Sequence, residues 1–324
     1  MYNEIKLEKG LYNLAGKSFT QALAAADPDE NYAGTPLANL DAFERQLKRF
    51  DIKISGAECD RVEKFFVTTE SAVLFPEFVR RAVLQGMEES ILTQIVAVKT
   101  LSDCNQYRGY TVSDGTPYTT KTSEGGNLPE TNIKESTNSI SLLKYGRLIT
   151  ASYEVVRLQR LDSFALTLRS IGKKLGNAIT TSAVSTMTTA ATSFDIAGSA
   201  LAYSDLLTLY GKFSTFGMNT LLASPKNVGT ILTMSQVQDC ISTDDKGNIV
   251  LPFGTTLIKC SQINDDTILG FDKDYALELI TSSDLVMETD KLIDRQLDTF
   301  SVSMNLGFKN IIGDSIKLLN LDKS

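Results

Sequence analysis

The chain contains no histidine among its 324 residues. Histidine is the side chain whose ordinary pKa best suits proton exchange near neutral pH. Its absence excludes a Ser-His-Asp triad, a Cys-His pair and an imidazole ligand to a metal. Most routes to enzymatic hydrolysis are therefore closed, and we predict that the protein is not an enzyme and has no catalytic residues.

Cysteine is scarce, and its spacing fits no known kind of site. Cys59, Cys104, Cys240 and Cys260 are separated by 45, 136 and 20 positions. Metal knuckles and redox pairs need cysteines a few residues apart. The spacing therefore predicts reduced and mostly buried thiols in a cytosolic protein, with neither a bound metal nor a cofactor.

Long hydrophobic runs and an excess of positive charge are also missing. No stretch approaches the roughly 20 apolar residues of a membrane span, and residues 1–14 lack the pattern of a signal peptide. The net charge is −7, whereas proteins that grip nucleic acid usually carry a basic stripe. We predict no membrane association and no sequence-specific DNA binding, although an acidic protein can enclose DNA without adhering to it.

One short motif points to a different class of protein, a nucleotide-using enzyme. Gly16, Lys17 and Ser18 resemble the end of a phosphate-binding loop, but that loop needs a glycine at position 11, which is Leu11 here. An ordinary N-terminal turn is the preferred interpretation. Binding of ATP would support the enzyme alternative.

The first third of the chain reads as mostly helical. Leu37, Leu40, Phe43, Leu47 and Phe50 form one apolar helix face. Pro76 suits a helix start, and that helix is expected to end near Gly86. The β-branched residues at 91–101 predict a strand.

Residues 107–144 are polar and contain few large apolar side chains. A structureless loop of this length is improbable in a compact domain. The segment is therefore either disordered or a two-stranded arm with its tip near Gly125 and Gly126, and the alternation at 140–144 favours a strand on the returning side. Such an arm needs a neighbour to pack on. Its candidate contacts to another subunit are Tyr118, Lys121, Glu124 and Leu128.

One long helix dominates the centre of the sequence. Phe164, Leu168, Ile171, Leu175 and Ala178 predict its apolar face, and Asp162 is a possible N-cap. Gly172 and Gly176 share one side of this helix. Glycine destabilises a helix interior by about 1 kcal/mol relative to alanine, so we expect another backbone to approach there.

The order of these segments resembles the major capsid protein of tailed bacteriophages, the Hong Kong 97-type fold. The residues that carry the resemblance are the helix at Phe75 to Val83, the polar hairpin, the strand at Tyr145 to Ile149, the short and long helices, a mixed α/β region and a closing strand pair after Asp294. The alternation of Phe300, Val302, Met304 and Leu306 marks one of the closing strands.

The resemblance implies an α+β fold with an axial domain, a peripheral domain with a long spine helix, an extended E-loop and an N-terminal arm. The implied segments are a helical leader at 1–74, the arm at 75–109, the E-loop at 110–144, the peripheral domain at 145–217, the axial domain at 218–284 and a return to the peripheral domain at 285–324. In some relatives a protease removes the segment that precedes the arm.

The function implied by the resemblance is assembly of hexamers and pentamers into an icosahedral head that encloses phage double-stranded DNA. Implied partners are further copies of the chain, a portal, and scaffold or decoration proteins, with assembly in the bacterial cytoplasm and a final place in the virion. Encapsulin compartments share the fold and are the alternative. Candidate basic contacts to adjacent subunits, or simply solvated helix faces, are Arg80, Arg81, Arg157 and Arg160.

Some relatives cross-link an E-loop lysine to an asparagine with the help of a glutamate. Lys121 is the matching lysine, but the return strand offers Gln296 and Ser303 instead of the asparagine and the glutamate. We therefore predict no autocatalytic cross-link, and a ladder of covalent multimers on a denaturing gel would contradict this.

Overall fold

The structure is a computed structural model that describes residues 5–13, 17–114, 120–244, 247–292 and 297–322. Its helices are α1 Phe19–Ala26, α2 Ala42–Arg49, α3 Thr69–Ala72, α4 Leu74–Glu88, α5 Leu92–Ile95, α6 Tyr153–Leu158, α7 Leu161–Ala190, α8 Tyr203–Gly211, α9 Pro225–Leu232, α10 Ser235–Gln238 and α11 Lys273–Ala276.

The strands complete a mixed α and β chain. They are β1 Val98–Leu101, β2 Gln106–Tyr107, β3 Tyr110–Asp114, β4 Thr131–Glu135, β5 Ile140–Ser141, β6 Leu143–Ser152, β7 Thr192–Asp195, β8 Thr220–Ala223, β9 Ser242–Thr243, β10 Ile249–Val250, β11 Thr256–Lys259, β12 Thr267–Phe271, β13 Leu277–Thr281, β14 Val286–Leu292, β15 Leu297–Asn310 and β16 Ile316–Asn320.

The chain divides into two compact units, each built from three separate segments. The first unit contains residues 1–93, 145–180 and 284–304, and the second contains 94–144, 181–283 and 305–324. These units cross the domain boundaries expected from the resemblance, which stay a prediction.

The core of the first unit is rich in aromatic side chains. Phe75 of α4 lies 6.0 Å from the ring of Phe164 on α7 and 5.5 Å from that of Phe300 on β15. Strand β14 pairs antiparallel with the first half of β15, in a register that places Met287 opposite Val302. Residues from all three segments therefore share one hydrophobic core.

The second unit is built around a seven-stranded sheet in the order β7-β16-β12-β8-β11-β10-β9. Its central strand β8 is buried along its whole length. Helix α9 begins at Pro225, and the Ser224 hydroxyl accepts a hydrogen bond from the Asn227 backbone as the N-cap. From the sequence, the apolar residues at 219–223 predict a buried strand, and Ser224 followed by Pro225 predicts the start of a helix. The structure confirms both.

A smaller β layer of the second unit supports the hairpin. Strand β1 pairs parallel with β13, which pairs antiparallel with the second half of β15. The largely buried carboxylate of Glu278 on β13 accepts hydrogen bonds from Thr100 at 2.5 Å and Tyr107 at 3.0 Å. These bonds fix the chain at the point where the hairpin begins.

Three local predictions are wrong. The helix expected at 37–50 begins only at Ala42, where Asp41 forms a capping box with Glu44. The strand expected at 91–101 is divided into helix α5 and strand β1. Asp162 is not the N-cap of α7, since that helix starts at Leu161.

The cysteines differ in part from the expectation. All four have free thiols, as predicted, but Cys104 and Cys240 are exposed and Cys59 is half-buried. Cys260 is buried, and burial raises the pKa of its thiol. The expectation that most are buried is wrong because Cys104 lies in a loop and Cys240 at a helix end, while Cys59, also in a loop, only packs against the edge of the first core.

Candidate assembly surfaces

The polar segment forms a two-stranded arm, as the sequence predicted. Strands β3 and β4 pair antiparallel, with Tyr110 opposite Glu135 and Val112 opposite Ile133. The arm turns at Gly125, whose φ of +76° lies in the left-handed region that glycine adopts without strain. We call residues 106–141 the hairpin.

The base of the hairpin is firmly attached to the second unit. Strands β2 and β5 pair with each other, and the Leu142 backbone donates a hydrogen bond to the carbonyl of Asn105 at 2.9 Å. The Lys309 ammonium group donates to the carbonyl of Tyr110 at 3.0 Å. The hairpin therefore starts from a fixed position.

Beyond its base, the hairpin exposes an apolar face. Residues two apart on a strand point to the same side, and residues paired across two strands share that side. Tyr110, Val112 and Ile133 consequently lie on one face, and they are 69%, 62% and 69% exposed. The exposed Glu135, which is opposite Tyr110, lies on the same face. Isolated two-stranded hairpins are marginally stable in water, so this face is suited to contact with another surface.

The candidate contact residues near the hairpin tip that the structure describes are all exposed to solvent. Lys121, Glu124 and Leu128 are exposed, Leu128 to 82%. Tyr118 falls outside the described residues. Their contact with another subunit stays a prediction.

Arg80 and Arg81 already have partners within the first unit. Both donate hydrogen bonds to the fully buried carboxylate of Glu77, and Arg81 also donates to Asp41 at 2.5 Å. Burial raises the pKa of Glu77, but the hydrogen bonds and charges of the two arginines and the Thr20 hydroxyl outweigh it, so the pKa lies below the ordinary value of 4.5. Any contact of these arginines with another subunit has to be compatible with this cluster.

The other two basic candidates lie at the junction between α6 and α7. The Arg160 guanidinium donates to the carboxylate of Asp162 at 2.8 Å and to the carbonyl of Gly56 at 3.1 Å, and half of its side chain is exposed. The Arg157 guanidinium lies 5.4 Å from the centre of the Phe66 ring. Their role between subunits stays a prediction.

A groove of about 880 Å³ opens on the first unit beside α2, α4 and α7. Its floor is apolar, with Phe43, Phe78 and the exposed Leu166, and its rim carries both signs of charge, with Glu44 and Arg169 among them. The sequence patterns did not single out this groove, because its lining comes from segments more than 100 positions apart. It can accept an apolar side chain.

The motif that suggested a nucleotide site has a structural role where it is described. The Ser18 hydroxyl accepts a hydrogen bond from the Gln21 backbone in the capping box of α1, while Gly16 lies outside the described residues. Within the described ranges, no group of three or more cysteine, aspartate or glutamate side chains is placed to hold a metal ion. In the same ranges, no helix is both long and apolar enough to cross a bilayer.

Comparison with known proteins by sequence gives no match, either to models of protein families or to curated proteins. Comparison of structures gives matches to protein shells. A virus-like particle from Pyrococcus furiosus matches 75% of this chain and 98% of its own, with a TM-score of 0.53 and 13% identity.

Two further structures match to a similar degree. The capsid of cyanophage P-SCSP1u matches 70% of this chain and 86% of its own, with a TM-score of 0.54 and 15% identity. The SrpI encapsulin of Synechococcus elongatus matches 71% of this chain and 86% of its own, with a TM-score of 0.54 and 12% identity. The chain thus has the Hong Kong 97-type α+β fold that the sequence pattern predicted, a fold found in both phage capsids and encapsulins.

Proposed function

We propose that this protein is the structural subunit of a closed icosahedral shell, and specifically the major capsid protein of a tailed bacteriophage. The observation that carries the proposal is the shell-forming fold together with a hairpin that is fixed at its base and exposes an apolar face. Because that face is not covered within the described part of the chain, a neighbouring subunit is its natural partner.

Assembly follows from the repetition of such contacts. Each hairpin lies on the adjacent subunit, and the contacts add up through closure of hexamers and pentamers into a lattice. Obligate interfaces commonly bury about 2,000–5,000 Å². The shell would enclose double-stranded DNA in the virion after assembly in the bacterial cytoplasm, with a portal and possible scaffold or decoration proteins as partners.

The alternative is a compartment of the encapsulin type, which the similarity to the SrpI encapsulin supports. The two functions differ in what the shell contains. The long polar hairpin and the N-terminal residues that precede α4 favour the phage shell.

The test is expression of the chain alone and with phage-encoded assembly partners, followed by electron microscopy and mass measurement. We expect capsomers, closed shells or tubes. Nuclease-protected DNA in shells from infected cells supports the phage function, and a protein cargo without DNA supports the compartment. A 35.4 kDa monomer that never assembles under either condition would overturn both.

A further inference from the structure

The N-terminal part of the chain is built into the core of the first unit. We call residues 5–13 and 17–66 the N-terminal layer. The ring of Phe65 lies 5.5 Å from those of both Phe75 and Phe78 on α4. Other side chains of the layer that are buried in the same core are Leu7, Phe19, Leu23, Ala42, Phe43, Leu47, Ile52 and Val62.

Buried polar groups also join the layer to α4. The Thr20 hydroxyl donates a hydrogen bond to the carboxylate of Glu77 at 2.9 Å, and the Tyr12 hydroxyl donates to the carbonyl of Val73 at 2.7 Å. The backbone N–H of Glu77 in turn donates to the Tyr12 hydroxyl at 3.2 Å. Without the layer, these buried groups of α4 would lose partners, and a buried polar group without a partner is unfavourable.

Main-chain hydrogen bonds attach the layer to the start of α7. The Val62 N–H donates to the carbonyl of Gln159, and the Leu161 N–H donates to the carbonyl of Asp60, both at 2.9 Å. Arg61 and Arg160 form an isolated antiparallel bridge. The layer is thus joined to the rest of the first unit by backbone as well as by side chains.

The layer itself is well ordered around one buried arginine. The fully buried guanidinium of Arg45 donates to the carboxylates of Asp27 at 2.9 Å and Asp29 at 2.8 Å, and to two backbone carbonyls at 2.6 Å. The Tyr32 hydroxyl donates to the other oxygen of Asp27 at 2.7 Å. A detachable leader has no need of such a buried and satisfied network.

We infer that the N-terminal layer is a permanent part of the first unit, retained in the working protein, and not a leader that a protease removes. The inference concerns the form of the chain that functions, and it goes beyond the proposed assembly role. It can be tested on the full chain in any oligomeric state, so it can fail without the shell proposal failing.

The first test is a specific proteolytic cleavage of the backbone, after which both fragments are still in the sample. The recognition sequence of a specific protease is inserted between Ala57 and Glu58, which are both exposed. After cleavage we expect the two fragments to coelute in gel filtration and to separate only in denaturant. Release of a free N-terminal fragment from a folded remainder would overturn the inference. The same insertion between the exposed Glu124 and Gly125 controls for access of the protease.

A second test compares two substitutions on helix α1. Leu23 is fully buried and Ala24 is exposed. We expect Leu23→Asp to lower the melting temperature of the first unit or to prevent its folding, whereas Ala24→Asp leaves the melting temperature unchanged. An unchanged melting temperature of the first unit in the Leu23→Asp variant would contradict the inference.

The third test uses the protein as the producing cells make it. Intact mass spectrometry of shells from producing cells should find a chain that still contains the N-terminal layer. A dominant species that lacks the N-terminal layer would overturn the inference, whatever the shells contain.

Discussion

At the scale of single residues, two glycines allow helices α4 and α7 to touch. A Cβ atom at Gly172 would overlap the backbone carbonyl of Val83, and one at Gly86 would overlap the carbonyl of Arg169. Gly176 is less tightly placed, with 3.0 Å between its added Cβ and the Ser90 side chain. The close approach is therefore reciprocal, with each helix contributing one glycine.

We predict that Gly172→Ala destabilises the first unit by about 1–3 kcal/mol, because the methyl group forces the two backbones apart. Gly229 lies inside α9 with open space around it. Gly229→Ala should therefore stabilise the second unit, by up to about 1 kcal/mol, through helix propensity alone. Urea unfolding of both variants measures the contrast, and equal effects of the two substitutions would contradict the packing role of Gly172.

A second residue-scale prediction concerns pH. The pKa of Glu77 lies below 4.5 in the folded chain, so its charge contributes stability at pH values above 4.5. This contribution is lost as the pH falls from 4.5 through the folded pKa. Glu77→Gln should lower the free energy of unfolding by about 3–5 kcal/mol at neutral pH, because it leaves two arginines without their buried partner. The stability of this variant should also depend less on pH in the acid range.

The control for this prediction is Glu88→Gln, on the exposed side of the same helix. Urea midpoints measured from neutral to acid pH compare both variants with the wild type. The prediction is wrong if the urea midpoint of Glu77→Gln falls with decreasing pH as steeply as that of the wild type.

The sequence predicted the close approach at Gly172 and Gly176. For Gly86 it predicted only a nearby helix end, and not the contact with the backbone of Arg169. A glycine at a helix end and a glycine at a helix crossing look alike in one sequence, because only the partner helix distinguishes them. The same limit affected the apolar face of α7, where Ala178 is exposed and Ile179 is buried. The glycines lie on the buried face, and a pattern search for large apolar residues omits them.

At the scale of elements, the hairpin is the part whose shape and composition point most directly to assembly. We predict that changing Val112 and Ile133 together to serine leaves the melting temperature of the free chain unchanged, because both side chains are exposed. The same double variant should fail to form shells, because the apolar contact with the neighbour is lost.

Asn132→Ser is the matched control, since Asn132 lies on the opposite face of β4. It should assemble like the wild type. Shell yield is measured by sedimentation and electron microscopy. Normal assembly of the double variant would show that the apolar face of the hairpin is not part of the interface.

Elements with a strong local pattern were predicted well. The two-stranded hairpin, the buried strand β8, helix α9 and the alternation along β15 agree with the sequence, and Phe300, Val302 and Leu306 are buried. Helix α7 continues to Ala190 through a run of serines and threonines, which are weaker helix formers than alanine or leucine. Several threonine hydroxyls there donate hydrogen bonds to carbonyls one turn earlier, as Thr180 does to Gly176 at 2.8 Å.

At the scale of the whole molecule, the net charge determines whether the protein binds DNA. Binding to DNA depends on lysine and arginine replacing the counterions of phosphates, and the net charge here is −7. We predict that free subunits produce no mobility shift of double-stranded DNA at physiological salt.

A positive control changes the exposed Glu124, Glu130 and Glu135 to lysine. Each replacement adds two charges, so the net charge moves from −7 to −1. This variant should bind DNA at low salt if the negative charge is what prevents adhesion. Tight binding by the wild-type chain would contradict the prediction.

The arrangement of the first unit could not be predicted from the sequence. The N-terminal residues have ordinary helical patterns, and nothing local indicates that Phe65 and Phe300 belong to one core. Contacts between positions so far apart depend on the tertiary fold, which a single sequence does not reveal.

The three-segment construction of the first unit has a consequence for synthesis on the ribosome. Phe75 packs against Phe300, so the core of this unit stays incomplete until β15 has been translated. At about 5–20 residues per second, the earlier aromatic side chains wait roughly 10–45 s for their last partner. Prematurely terminated chains that lack β15 therefore cannot complete the core of the first unit.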